Sequence, residues 1–169
     1  MQGKRLAGPR KGGAMRKKLA LIVAGVLVAG GGTVASLVGS SASAATTLKV
    51  VEHAVTDTAI DIGKPGDSRG DQLTFSNKVY DAADNSVVGS DQGWCVRIAP
   101  KKGSWECVWT TFLAGGQITV ETPFYDTKDS VGVVTGGTGT YSGASGSLDL
   151  HCFVGSDDVA RCDFTFNLN

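Results

Sequence analysis

At 169 residues the chain has room for one ordinary domain, and its formal charge balances, with 16 basic and 16 acidic residues. The balance is uneven along the chain. All sixteen acids follow Ala45 but only nine of the Lys and Arg do, so residues 45–169 carry a net −7, which argues against nucleic acid as a partner and suits a soluble exported domain.

The first segment, MQGKRLAGPRKGGAMRKK, has seven basic residues and no acid, and it runs into LALIVAGVLVAGGGTVASLV. With Ala42-Ser43-Ala44 following, this order of charged, apolar and small residues predicts a secretory signal peptide over residues 1–44 and a secreted domain over 45–169. A retained membrane anchor is the competing reading, since Leu19 to Val38 is long enough to span a bilayer, although its glycines weaken such a helix. Met15 is an alternative start that leaves MRKK as a compact basic region.

From Ala45 onward the pattern is all-β, with no stretch of helical period. Strands are predicted over Leu48–Ile62, Gln72–Asp81, Ser86–Ala99, Ser104–Leu113, Gly116–Phe124, Val131–Thr135, Ser145–Val154 and Val159–Leu168. Turn chemistry separates them, as in Gly63-Lys64-Pro65-Gly66-Asp67, Asp84-Asn85 and Ala114-Gly115-Gly116. Short turns between consecutive strands imply an antiparallel meander, closed into a barrel or folded as a two-sheet sandwich. The glycine-rich run from Gly136 to Gly146 lies between two strand-like segments, so it reads as a shaped loop rather than a linker.

Four cysteines, Cys95, Cys107, Cys152 and Cys162, lie in this region, and an even number in a small exported domain implies disulfides. Three pairings are possible. A hairpin turning near Lys101-Lys102 sets Cys95 opposite Cys107, and one turning near Ser156-Asp157 sets Cys152 opposite Cys162. Alternation of faces then groups Cys95 with Gly93 and Arg97, Cys107 with Trp105 and Trp109, Glu52 with Val50 and Ala54, and Phe75 with Leu73, Asn77 and Val79.

Two stretches carry a family resemblance. GGTGTYSGASGSLDL resembles the glycine-rich signature of the allene oxide cyclase barrel superfamily, shared more loosely by dirigent proteins. GDQLTFSNKVYDAADNSVVGSDQGWCVRI is similar to the cyclase in the same order and spacing. The resemblance implies an eight-stranded antiparallel β-barrel whose apolar cavity binds a small reactive hydrophobic molecule and guides its cyclisation or isomerisation. It implies no metal or redox cofactor, and it implies a homotrimer.

By the same resemblance, Glu52 in VVEHA matches a glutamate that assists charge delocalisation, and Asn77 in FSNKVY matches an asparagine that binds a water, making these two the catalytic candidates. Leu73, Phe75, Cys95, Trp105 and Phe124 fall at ligand-lining positions. The chain departs from the family pattern where Ala54 aligns with a second first-strand asparagine and where Cys107 replaces a small apolar residue; a Cys95–Cys107 bridge removes a free cavity thiol. The alternative expectation is a non-catalytic secreted module that binds a ligand or serves a structural, interacting role. For Glu52 the bland alternatives are an exposed charge or an ion pair with Arg97. His53 and His151 have no triad pattern around them and read as surface or structural residues.

Overall fold

The computed structural model describes residues 45–169; the expected signal peptide lies outside the described residues. Ten strands run in chain order: β1 (Thr46–His53), β2 (Thr58–Ile60), β3 (Gln72–Phe75), β4 (Lys78–Tyr80), β5 (Val87–Ala99), β6 (Ser104–Leu113), β7 (Gly116–Tyr125), β8 (Ser130–Gly137), β9 (Gly146–Val154) and β10 (Ala160–Leu168). All pairings are antiparallel. β5 pairs with β6, and each following strand pairs with the next through to β10. β10 then pairs with β1 over the whole of β1, and β1 pairs with β4, which returns to β5. The sheet therefore closes on itself as an eight-stranded antiparallel barrel, and no long edge is left open.

Eight walls come from ten strands because β1 and β2 share one wall and β3 and β4 share another. β3 and β4 both pair with β5, β3 against Gly93–Val96 and β4 against Val87–Ser90, with Ser76 and Asn77 between them. The predicted strand Gln72–Asp81 is interrupted there, and the predicted strand Leu48–Ile62 is interrupted at residues 54–57. Beyond that gap the chain continues as β2, which pairs with β3. The two interruptions face each other and are stitched together by side chains, as described below.

The core is the barrel interior. Val50, Val79, Ile118, Val120, Leu148 and Phe166 are fully buried, and Trp109, Phe164 and Leu150 pack with them. Gly93 makes this packing possible, because a Cβ at that position would lie 2.4 Å from the Cβ of Trp109 on the neighbouring strand. The missing side chain lets the indole lie across β5 and reach Phe75 and Phe164, with ring centroids 6.4 and 5.0 Å away. Gly146, at the end of the glycine-rich loop, has φ +134° and would place a Cβ 2.0 Å from the Asn167 carbonyl oxygen, so the loop enters β9 only with glycine there.

Both hairpin pairings of the cysteines are present. Cys95 bonds Cys107 across β5 and β6, and Cys152 bonds Cys162 across β9 and β10. Each pair stands directly opposite in its ladder. By the chain-entropy relation each short loop is worth roughly 3 kcal/mol. No helix of the described residues is long and apolar enough to cross a membrane.

Candidate active site: a carboxyl pair held by Asn77

Asn77 sits between β3 and β4, almost completely buried, and uses its whole side chain. Its Oδ1 accepts from the backbone N–H groups of Val55 and Thr56 at 3.1 and 2.9 Å. Its Nδ2 donates to Glu52 Oε1 at 2.7 Å and to Asp57 Oδ1 at 2.8 Å. The Ser76 N–H donates to Thr56 Oγ1 at 2.8 Å, tying the two interruptions together a second time. A chain that leaves the ladder at residue 54 would otherwise strand these donors, so the amide both satisfies the break and aims two carboxyl groups.

Asp91 completes the group from β5. It exchanges backbone hydrogen bonds with Asn77, and its Oδ1 accepts a further one from the Asn77 N–H at 3.1 Å. Glu52 and Asp91 are 5% and 1% exposed, and among the described residues neither forms an ion pair with a cation. Burial raises the Glu52 pKa well above the usual carboxyl range, with further upward pushes from the charges of Asp91 and Asp57, against a downward pull from Asn77. Burial likewise pushes Asp91 up to about 6. The contact between the two carboxyl groups pushes Glu52 further up and Asp91 down. Among the described residues Asp91 Oδ2 is buried without a hydrogen-bond partner.

Glu52 opens on an apolar cavity of about 60 Å³ inside the barrel. This is room for roughly four water-sized groups, well short of the ~300 Å³ at which sites for drug-sized ligands begin. As folded, the space takes one small ring or the end of a longer molecule. Leu73, Phe75, Cys95 and Phe124, all expected as lining, do line it, together with Trp109, Phe164 and both disulfides. Asp57 is its one exposed lining residue and marks its mouth.

Trp105 does not line this cavity. It stands opposite Arg97 one inward layer beyond the Cys95–Cys107 bridge, with the Arg97 guanidinium 4.5 Å above its ring and its own Nε1 donating to Asp126 at 2.8 Å. Arg97 pairs with Asp67 at 2.7 Å and Asp126 at 2.8 Å, not with Glu52. His53 and His151 pair instead with Asp84 and Asp129, at 2.6 and 2.7 Å. Sequence reasoning missed Asp91. The signal was available, because the alternation that puts Gly93, Cys95 and Arg97 inside reaches Asp91 two residues earlier. It also missed Asp57, which reaches Asn77 only because the first strand breaks. Among the described residues, no group of three or more His, Cys, Asp or Glu side chains is placed to hold a metal ion.

The chain is a closed antiparallel barrel with a buried carboxyl pair at the wall of an apolar interior. The chain belongs to the allene oxide cyclase family, whose pattern it matches over residues 49–168. Among solved structures it is similar to a pyocyanin demethylase, at 27% identity with a TM-score of 0.62, over 73% of this chain and all of that one. The fold is also that of the pterocarpan synthase dirigent protein GePTS1, at 14% identity and TM-score 0.63, over 73% of this chain and 83% of that chain. The Diels Alderase AbmU from Streptomyces koyangensis shares the fold at 14% identity and TM-score 0.57, over 74% of this chain and 64% of that one.

Proposed function

We propose that this barrel binds a small, largely apolar molecule and guides its cyclisation or isomerisation by proton transfer, with Glu52 as the acid. The carrying observation is the buried Glu52–Asp91 pair, in no ion pair with a cation among the described residues, opening on an apolar cavity. A carboxyl that stays protonated near neutral pH donates a proton to a bound carbon, oxygen or nitrogen, and the Asp91 charge, which disfavours ionised Glu52, drives its reprotonation afterwards. Asn77 holds the Glu52 oxygen in place and acts as a positioning residue. Aromatic walls exclude water and orient the substrate.

Family membership supports the reaction class, and the pyocyanin demethylase is a relative that acts on a small molecule. The two disulfides support export to an oxidising compartment. A homotrimer remains an expectation of the family resemblance, and size-exclusion chromatography with light scattering reads it directly. The second reading, a non-catalytic secreted binding module, draws on the small volume left by Trp109, Phe75 and Phe164.

The test starts with native mass spectrometry of the protein purified from its source, to identify a co-purifying molecule. That molecule is then turned over in D₂O. The proposal expects one solvent deuteron in the product and a rate lowered about 100-fold or more in Glu52→Gln. Conversion at an unchanged rate in Glu52→Gln removes the acid assignment, and binding with no conversion by the wild-type protein favours the second reading.

A further inference from the structure

Every ionisable residue that lines the cavity is an acid. Its wall carries Glu52 and Asp57, and none of its twelve lining residues is basic. The nearest inward cation by strand position, Arg97, lies one layer beyond Cys95 and is matched by Asp67 and Asp126. Asp57 is exposed at the mouth, fixed there by the Asn77 Nδ2 donor. The remaining wall is the π-faces of Phe75, Trp109, Phe124 and Phe164, together with disulfide sulfur.

A second, independent observation marks the cavity as a ligand site. Trp109 lines it at 4% exposure, and its Nε1–H is buried with no acceptor among the described residues. An indole N–H normally finds an acceptor when buried, so this donor is available to an acceptor atom of an occupant.

We propose that the cavity selects small aromatic cations, or weak bases that become cations once protonated, and rejects carboxylates, with Asp57 as the selecting group. The inference rests on the reading of the cavity as a ligand site and adds the charge of its occupant. An aromatic cation gains from a carboxylate at the mouth and from ring faces around it, and a carboxylate ligand meets the Asp57 charge with no cation in the lining to offset it. A substrate protonated by Glu52 would become such a cation in place, so a permanent cation mimics the charged state on the reaction path.

Three single-ring probes of matched shape test this on the intact protein: N-methylpyridinium, toluene and benzoate. Binding is followed by the indole N–H resonance of Trp109. The cation is expected to bind about tenfold more tightly than the neutral isostere, with benzoate weakest. The preference is expected to shrink in about 0.5 M salt and to collapse in Asp57→Asn, which keeps an oxygen acceptor for Asn77. Equal binding of the three, tighter binding of benzoate, or an undiminished preference in Asp57→Asn overturns the selection and leaves the ligand site standing. No shift at Trp109 with any probe overturns both.

Discussion

Acids inside the barrel and acids at its rim are the same residue types in opposite company. At the rim, Arg161 donates to both oxygens of Asp157, at 2.6 and 2.8 Å, and to Asp84 at 2.9 Å, while Arg97 pairs with Asp67 and Asp126. Hydrogen bonds from these guanidinium groups draw Asp67 and Asp157 below the usual carboxylate range, and for Asp84 His53 and Arg161 together outweigh the opposing effect of burial. Inside, Glu52 and Asp91 have only each other and the Asn77 amide, and both are raised. The rim clusters hold the barrel end together in their ionised form. Burial pushes the interior pair toward its protonated form. What separates the two sets is burial, the largest upward push inside, against guanidinium groups that outweigh it at the rim.

The strongest way to break this difference is Asn77→Ala. It strips the donors from Glu52 and Asp57 and the acceptor from the Val55 and Thr56 N–H groups, and a loss of about 3–5 kcal/mol in urea unfolding is expected. A loss under about 1 kcal/mol would mean that the two strand breaks do not depend on this amide.

The pH dependence sharpens the comparison, because the two groups have opposite signs. Raised groups stabilise the fold below their unfolded pKa and lose that contribution as pH rises through the folded value, so Glu52→Gln should gain melting temperature relative to wild type from about pH 4.5 upward. Lowered groups do the reverse. Asp67, Asp84 and Asp157 contribute above their unfolded pKa and lose it as pH falls below about 4, so Arg161→Met should flatten the acid limb and leave the alkaline one. Thermal melts across both limbs check the pair of variants; parallel curves would erase the distinction.

The smallest effect is expected at Lys49, whose exposed pair with Asp163 spans 2.6 Å. Lys49→Ala should cost under about 0.5 kcal/mol, and a larger loss would show that rim pairs bear more of the fold than their solvation suggests.

Period-two alternation and turn residues implied an antiparallel meander, and the family resemblance, not local signal, selected a barrel over a two-sheet sandwich. Of three possible pairings, hairpin spacing set Cys95 against Cys107 and Cys152 against Cys162, and these are the bridges that form. The strand breaks at residues 54–57 and 76–77 were not legible. Val-Thr-Asp-Thr and Phe-Ser-Asn-Lys are compatible with continuous strands, and only the amide of Asn77 meeting the backbone of residues 55–56 across the wall stabilises the gap. Glu52 and Asn77 were singled out by resemblance; Asp91 was within reach of strand alternation, whereas Asp57 meets Asn77 only because of that gap. Trp105, expected from the resemblance as lining, stands one layer away beside the Arg97 ion pairs, since alternation assigns a face but not a height along the barrel.

The pairing of β1 with β10 carries a consequence for biogenesis. Thr46 lies opposite Leu168, so the first wall of the barrel is completed by the last one synthesised. Neither bridge spans that seam; each staples a hairpin of its own. The hairpins can therefore form and oxidise as they emerge, while β1 keeps an unpaired edge until the end of the chain arrives. During that interval the polypeptide is exposed to strand-mediated aggregation. The same neighbourhood of first and last strands makes the seam a natural place to join the ends of the barrel spanning residues 45–169 and open it elsewhere, in a circularly permuted protein whose closing step is moved to another wall.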